Sequence, residues 1–411
     1  MDGRTWTVVR LFLVLFVTMP LLSGCWDRRE MEQRATVLGM GIDLGNARIV
    51  QKNPPTRPEE THIPFVQPVH LTVQIAVPGR IPLGPGDAGG GSSSGGGSSS
   101  LPVWVLSAEG SSLNDAVSQL QQRVADKLFF GHLRVVVVSQ DFARQGLDTV
   151  TDYIRRNPEI RRTAWLGVSS GSARQFMMTA PPLERVPTLY LLATLDQARQ
   201  LGKMPHDFLG VFESKLSMKG REPVLPFGDV IGNDVHIAGL AYFKGDKMVG
   251  NTNIFQVAAY MELSGEKRGG YSAMVRVPGS SDTVVWQIYR RRTRIKSDIR
   301  NGKPHFTAII HVDGNVTEKS RHQVNLDSPQ VIEKINQQIA AELKLNMQSL
   351  LEDTKRRNSD IVGFGEYVRA KHPQYWNRFV QTKEKWEEMY PDIPIDIEVD
   401  VRTHRVGMSS T

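Results

Sequence analysis

The stretch Leu133-Arg134-Val135-Val136-Val137-Val138 carries a short apolar run between two helical patterns. Such a run is typical of a strand that is buried on both faces of a sheet. A helical apolar stripe precedes it and ends at Gly131, and residues 141–156 follow it with a second helical pattern. An apolar run at 164–168 and a short helical segment at 172–178 repeat the order of strand and helix. This alternation predicts an α/β sheet in the first half of the chain.

Two further strands are predicted on the N-terminal side of this core. Residues 69–77 alternate apolar and polar side chains, and residues 101–107 form another strand-like run. A Gly/Ser tract at 84–100 lies between them and has the composition of a flexible coil. Because the entropy of closing a loop grows only with the logarithm of its length, we interpret the tract as a long hairpin loop rather than a linker.

Three glycines, Gly39, Gly41 and Gly45, accompany the earliest predicted strand at 36–43. A dinucleotide-binding loop would need a helix directly after the glycines, so that the helix N-terminus receives the phosphates. A turn follows here instead, and residues 48–50 have the pattern of a returning strand. The sequence therefore predicts a β-hairpin at this point and no phosphate site.

The pattern changes at Val235. From there, segments with alternating apolar and polar residues, typical of β-strands, replace the repeated order of strand and helix. The second half contains a hairpin around Gly245-Asp246, two long strands, a long helix with one apolar stripe, and a last strand. The predicted ranges are 236–250 for the hairpin, 284–299 and 306–316 for the strands, a helix of nearly 30 residues that begins at Pro329, and 393–402 for the last strand. Four aromatic residues near the C-terminus recur at helical spacing, and we expect them to pack on the C-terminal sheet; they are Trp376, Phe379, Trp386 and Tyr390.

These patterns predict an α+β protein, with an α/β-type N-terminal domain followed by a mixed β-sheet and long-helix C-terminal region. We expect a signal peptide at 1–24, an N-terminal domain at 25–200 that carries the 84–100 loop, a linker region at 201–234 and a C-terminal region at 235–407. A division of the last region into subdomains at 235–320 and 321–407 stays open.

The first 25 residues indicate where in the cell the protein is located. Arg4 and Arg10 precede an apolar segment at 11–22, which is about twelve residues long and so is typical of an export signal rather than a membrane span. The segment ends in Leu22-Ser23-Gly24-Cys25, which has the spacing of a bacterial lipobox, and Cys25 is the only cysteine of the chain. A thiol at this point can take up a diacylglyceryl group, and two acyl chains hold a protein stably on a membrane. We therefore predict lipidation at Cys25 and a body on the outer face of the membrane.

The rest of the sequence contains few residues or motifs that indicate a binding or catalytic function. The formal charge is +7, and export makes nucleic acid an unsuitable partner for it. Strand residues 290–296 hold the densest basic cluster, and alternation places Arg290, Arg292, Arg294 and Lys296 on one face of the strand. This basic row either contacts anionic lipid or is a solvated face that blocks edge pairing. No hydrolase, metalloprotease or nucleotide-binding motif is present in the sequence, and the cysteine count leaves no thiolate metal site. We expect no enzyme activity, no metal and no cofactor.

Five segments together resemble one family, the Ger(x)C lipoproteins that are the C subunits of spore germinant receptors. They are Cys-Trp-Asp-x-x-Glu at 25–30, Phe-Phe-Gly-His-Leu-Arg at 129–134, Gly-Leu-Ala-x-Phe-Lys at 239–244, Asp-x-x-Gly-Phe-Gly at 360–365 with a later tryptophan, and Arg-x-Gly at 405–407. The Gly/Ser tract departs from the family pattern, but it affects only a loop.

The resemblance implies a lipoprotein subunit of a nutrient receptor in the spore inner membrane. It implies two integral membrane partners, an A-type subunit and a transporter-like B-type subunit, and a role in assembly or signalling. Two rival hypotheses remain. One is a solute-binding lipoprotein of an importer, which would hold its ligand between two similar lobes. The other is a wall-binding adhesin that uses the basic strand.

Overall fold

A computed structural model describes residues 34–46, 67–77, 102–181, 184–320, 326 and 328–405, together with positions 6, 10 and 13. Within these residues the chain forms a nine-stranded sheet and a four-stranded sheet, with helices packed on both. The α+β fold predicted from the sequence is confirmed. In the same residues no helix combines the length and the apolar character that crossing a bilayer requires.

The first sheet is built from strands that reach well past the middle of the chain. They are β1 Arg34–Leu44, β2 Val69–Ala76, β3 Val103–Gly110, β4 Lys127–Phe129, β5 Val135–Ser139, β6 Trp165–Ser169, β7 Val224–Ile231, β8 Asp234–Lys244 and β9 Lys247–Asn251. The spatial order is β3-β2-β1-β5-β6-β7-β8-β9, with β4 also paired to β1. The centre, from β1 through β7, is parallel, and both ends are antiparallel.

Six helices pack on or beside this sheet. They are α1 Leu113–Gln121, α2 Gln140–Gln145, α3 Asp148–Arg156, α4 Ala173–Phe176, α5 Pro187–Gln200 and α6 Leu209–Leu216. The single helix predicted at 141–156 is wrong in one respect, because Gly146 has φ +132° and divides it into α2 and α3. The parallel centre with crossover helices is the arrangement that the alternation of strand and helix predicted.

The predicted pairing of residues 69–77 with 101–107 is confirmed. Strands β2 and β3 are antiparallel from Val69 opposite Gly110 to Ala76 opposite Val103. The pairing is extended by Val77, whose amide donates to the Pro102 carbonyl at 3.0 Å. The Gly/Ser tract itself lies outside the described residues.

The hairpin predicted around Gly45 takes a different form. Along Gly39–Ile42 both edges of β1 are occupied, by β2 on one side and β5 on the other. The returning strand expected at 48–50 lies outside the described residues, so β2 is the antiparallel partner that the structure gives β1. The two strand glycines make room for helices, because a Cβ on Gly39 would meet Thr188 Oγ1 at 2.3 Å and one on Gly41 would meet the Ala173 carbonyl at 2.9 Å.

The segment expected as a linker, 201–234, contains α6 and strand β7. Strands β8 and β9, which form the predicted hairpin around Gly245-Asp246, continue the same sheet beyond it. The first sheet therefore extends to Asn251. The domain limits drawn from the sequence stay a prediction.

The second sheet has the order β10-β11-β12-β13, and its long strands agree with those predicted. Its elements and the helices around it are β10 Ser272–Arg276, β11 Thr283–Arg300, β12 Lys303–Lys319, β13 Ile395–Arg405, α7 Ile254–Leu263, α8 Pro329–Arg356, α9 Phe364–Lys371, α10 Pro373–Tyr375 and α11 Lys383–Met389, with a π-turn at Trp376–Val380 and a 3₁₀ turn at Tyr390–Asp392. Helix α8 has 28 residues and is about 42 Å long at about 1.5 Å per residue. Its apolar stripe packs on the inner face of the sheet.

Candidate functional site

The turn at residues 360–365 joins α8 to α9 and organises the contact between the two sheets. The Asp360 carboxylate is 2% exposed and accepts three hydrogen bonds, from the amides of Gly363 at 2.8 Å and Gly365 at 2.9 Å and from Trp386 Nε1 at 3.0 Å. Burial raises the pKa of Asp360, and these donors oppose the rise. Asp360, the first residue of the Asp-x-x-Gly-Phe-Gly segment, therefore closes the turn by accepting hydrogen bonds from the amides of the segment's two glycines.

Two glycines allow the turn to touch the segment that leads into β7. Gly363 has φ +90°, a left-handed conformation that favours glycine. A Cβ on Gly365 would meet Gly220 Cα at 2.6 Å and Trp386 Nε1 at 2.5 Å, and a Cβ on Gly220 would meet the Gly365 carbonyl carbon at 2.3 Å. The two backbones therefore lie in direct contact.

Hydrogen bonds fix this contact between the first sheet and the C-terminal helices. The Gly220 amide donates to Glu366 Oε1 at 2.8 Å, and the Glu366 amide donates back to the Gly220 carbonyl at 3.2 Å. The Glu222 amide donates to the Asp360 carbonyl at 2.8 Å, and Ser359 Oγ donates to the Phe243 carbonyl at 2.5 Å. Each bond joins the 359–366 region to a strand of the first sheet or the segment before it.

Buried charges reinforce the same contact. The Glu222 carboxylate accepts from Lys383 Nζ at 2.9 Å and from the Gly245 amide at 2.9 Å. Lys244 approaches Glu387 at 3.4 Å. Burial raises the pKa of Glu222 to about 8, against the opposing effect of Lys383, and the neighbouring Glu387 adds to the rise.

A second polar chain continues the contact toward α7. Lys215 Nζ lies 2.6 Å from Asp207 Oδ1 and 3.4 Å from the Tyr260 hydroxyl. Arg221 donates to the same hydroxyl at 3.2 Å and to the Ile361 carbonyl at 3.2 Å. We call this contact between Asp360, Gly220, Glu222, Lys383 and their partners the seam. Most of its polar side chains are buried and bonded to one another, with Asp207 Oδ2 buried without a partner among the described residues. Such an arrangement suits a mechanical junction rather than a site that admits substrate.

Arg291 and Glu262 are two further buried charged residues that influence each other electrostatically without a direct hydrogen bond, and both side chains have 0% exposure. Arg291 Nη2 donates to the Gly202 carbonyl at 2.8 Å and also to the Arg268 carbonyl. Among the described residues, Arg291 Nε and Nη1 and both Glu262 carboxylate oxygens have no hydrogen-bond partner. Burial raises the pKa of Glu262 to about 8, with Arg291 opposing, and burial lowers the pKa of Arg291.

This pair predicts a pH-dependent stability. A carboxyl whose pKa is higher in the folded chain stabilises the fold at low pH, and that stability is lost as the pH rises from about 4.5 toward about 8. From pH 5 to pH 8, the free energy of unfolding should fall less in Glu262→Gln than in the unaltered chain. The difference between the two falls should be on the order of a few kcal/mol at most. Thermal unfolding at the two pH values measures it.

Glu266→Gln is the matched control for this prediction, since it removes the same charge from an exposed position four residues further on. It should follow the unaltered chain at both pH values. If Glu262→Gln and the unaltered chain lost the same stability between pH 5 and pH 8, the raised pKa of Glu262 would be contradicted.

Two concave regions lie away from the seam. A groove of about 400 Å³ runs between α7, β10 and α8, and its rim exposes Phe255 at 63% and Met274 at 71%. A hollow of about 510 Å³ lies between the start of α1 and α3. In the part of the chain that the structure describes, no group of three or more His, Cys, Asp or Glu side chains could hold a metal ion.

Comparison with known proteins covers nearly all of the chain. Residues 27–230 match the family described as "Spore germination protein N-terminal domain", and residues 238–407 match "Spore germination B3/ GerAC like, C-terminal". The chain belongs to this GerAC-like family of spore germination proteins. The resemblance noted from the five sequence segments is confirmed.

Curated relatives in the family are similar over their whole length. Spore germination protein KC of Bacillus subtilis (strain 168) is 24% identical over 423 residues, which cover 97% of this chain and 96% of that protein. Spore germination protein B3 of the same organism is 21% identical, over 96% of this chain and 97% of that protein. The crystal structure of the GerBC protein matches with a TM-score of 0.53 and 17% identity, over 82% of this chain and 94% of that chain, and supports the fold.

The two family matches meet in the hairpin of β7 and β8, between residues 230 and 238. The seam built on Asp360 and Gly220 therefore joins the regions covered by the two family matches. The sequence patterns singled out residues 360–365 but gave them no role, and they gave no role to Gly220, Glu222 or Lys383. No local pattern marks these three, because their partners across the seam lie more than a hundred residues away in the sequence.

The residues predicted for lipidation and signal cleavage, Leu22, Ser23, Gly24 and Cys25, lie outside the described residues. The first described strand begins nine residues after Cys25, at Arg34. The lipidation site stays a prediction from the sequence.

Proposed function

We propose that this chain is the lipid-anchored C subunit of a spore nutrient germinant receptor. The observation that carries the proposal is the end-to-end match to spore germination proteins, with both family regions present in order. The lipobox at Leu22–Cys25 supplies the anchor, and the body lies on the outer face of the cell membrane, which is the spore inner membrane.

In this proposal the chain has an assembly or signalling role and carries out no chemistry. The closed seam supports such a role, because it ties the two sheets into one body that can transmit a displacement from one face to another. Its partners are two integral membrane subunits, one A-type and one transporter-like B-type, and the membrane lipid that holds the acyl chains. Nucleic acid has no part in it.

The importer hypothesis is not favoured. Solute-binding lipoproteins close two similar lobes on a ligand, whereas the two sheets here differ in strand number and topology. The relatives are named as spore germination proteins, and none of those named above is an importer component.

Co-purification from membranes tests the proposal. We expect the tagged full chain, extracted in mild detergent from spores, to bring down two multi-spanning proteins in comparable amounts. The control is a tagged, unrelated lipoprotein of the same membrane, which should bring down neither. Recovery of a permease with an ATPase would instead support the importer.

A further inference from the structure

The outer face of the second sheet is a charged surface that the proposed function does not use. The inner face of β12 is fully buried against α8, through Phe306, Ala308, Ile310 and Val312. The outer face carries the basic row predicted from the sequence. Arg290, Arg292, Arg294 and Lys296 are all exposed on β11, while Arg291 points inward and is buried.

The register of the three strands places an acidic row opposite the basic one. At three successive levels, a basic side chain on β11, an uncharged or histidine side chain on β12 and an acidic side chain on β13 lie side by side. These levels are Lys296–Thr307–Asp396, Arg294–Ile309–Glu398 and Arg292–His311–Asp400. At these three levels the face is therefore positive along β11, near neutral along β12 and negative along β13. The next level is Arg290–Asp313–Arg402, where the two outer strands are basic and β12 is acidic.

Only part of this charge is neutralised within the face. Asp400 lies 3.0 Å from His311 and 3.3 Å from Arg402, Asp396 lies 3.4 Å from His305, and Arg292 lies 3.8 Å from Asp313. Among the described residues, Arg294, Lys296 and Glu398 make no ion pair. Neighbouring strands are about 4.8 Å apart, so the basic and acidic rows are separated by about 10 Å, with β12 between them.

At the three levels from Lys296 to Arg292 this pattern is complementary to itself. Consider a twofold axis that lies between two such faces and runs along β12. Rotation about it places β11 of one copy over β13 of the other and β12 over β12, and it keeps each level in place. Lys296 then faces the partner's Asp396, Arg294 faces the partner's Glu398, and Arg292 faces the partner's Asp400, each pair occurring twice because the interface is isologous. The complementary contact ends at Arg292, because the next level places Arg290 opposite the partner's Arg402.

We propose that this face binds the same face of a second copy of the chain. The charge pattern favours this partner over an anionic lipid surface, because lipid headgroups would attract the β11 row but repel the β13 row. Complementary charges set the orientation and exclude other alignments, since a shift by one strand removes the facing charge pairs and a shift by two strands brings like charges together.

The contact is small. Strand β13 has 11 residues, so the three-strand face is about 36 Å long and about 14 Å wide, which is roughly 500 Å². A standard interface buries about 800 Å² per partner, so we expect a weak, salt-sensitive dimer.

Cross-linking of the full chain in membranes tests the geometry. Because β12 lies on the proposed axis, Ile309 faces the partner's Ile309. A single Ile309→Cys substitution should therefore link copy to copy with a short bismaleimide. Arg156→Cys is the control, since Arg156 is highly exposed on α3 and lies away from this face. We expect at least a tenfold higher dimer yield for Ile309→Cys, and equal yields would overturn the proposal.

Charge inversion tests the pairing, in chains that all carry Ile309→Cys and tags of two different masses. One variant is Arg292→Glu, Arg294→Glu and Lys296→Glu, and the other is Asp396→Lys, Glu398→Lys and Asp400→Lys. Each alone should lose most of its cross-linking, because every facing pair becomes like-charged. Mixed together they should cross-link to each other at the unaltered level or above.

The mixture separates the proposal from its alternatives. If anionic membranes shield the Ile309→Cys thiol from a water-soluble maleimide less in the first variant and more in the second, with no recovery of cross-linking on mixing, the face binds anionic lipid and the proposal is wrong. No recovery on mixing and no change in this shielding would also overturn it.

Discussion

Replacing Trp386 by alanine should lower the free energy of unfolding by about 3–5 kcal/mol, the cost of emptying a large aromatic site in a core. The side chain is 1% exposed, packs beside Trp376 with ring centroids 6.0 Å apart, and donates to the buried Asp360 carboxylate. Its loss opens a cavity and removes one of the three donors that hold the 360–365 turn. Since whole domains are stable by only about 5–15 kcal/mol, the effect should be plain in thermal unfolding of the purified chain.

Phe379→Ala is the matched control, because Phe379 is an aromatic residue of the same region that is 53% exposed. It should change the free energy of unfolding by about 0.5 kcal/mol or less. An unchanged midpoint for Trp386→Ala, together with failed co-purification of the membrane subunits, would contradict the core assignment. It would mark this region as the docking surface instead.

The contrast between Trp386 and Phe379 shows what the sequence could and could not provide. Helical spacing placed Trp376, Phe379, Trp386 and Tyr390 on one face, and three of them are buried as predicted. Phe379 is exposed because the chain there is not one helix. A π-turn at Trp376–Val380 widens the spacing, and Gln381 with φ +65° ends it before α11 begins.

Local patterns predicted local elements well. The strand at β5, the hairpin of β8 and β9 and the helix α8 follow from apolar periodicity and from Pro329 at a helix start. Periodicity carries no information on which distant strands become neighbours. It could not show that β7, β8 and β9 extend the first sheet past the expected linker at 201–234.

Local sequence patterns also could not predict the seam or the charged face, because both depend on contacts between distant segments. Alternation correctly placed Arg292, Arg294 and Lys296 on one side of a strand. It could not place the acidic row of β13 about 10 Å away, because that depends on the parallel register of β12 and β13. The role of Asp360 was equally hidden, since its donors include Trp386, 26 residues further on.

Cys25→Ala should abolish the membrane anchor. Without the thiol no diacylglyceryl group can be attached, and without acyl chains the body has nothing to hold it stably to the bilayer. We expect the receptor to lose this subunit and the spores to lose their response to its nutrient. Ser23→Ala is the control, because alanine keeps the small side chain before the cysteine and should leave anchoring intact.

The most direct measurement is metabolic labelling with a fatty acid, followed by membrane fractionation of cells that carry the unaltered chain, Ser23→Ala or Cys25→Ala. The account predicts label in the membrane fraction for the first two and none for Cys25→Ala, whose signal processing should be blocked or diverted. Equal label on Cys25→Ala would contradict the central claim that this chain is a lipid-anchored receptor subunit.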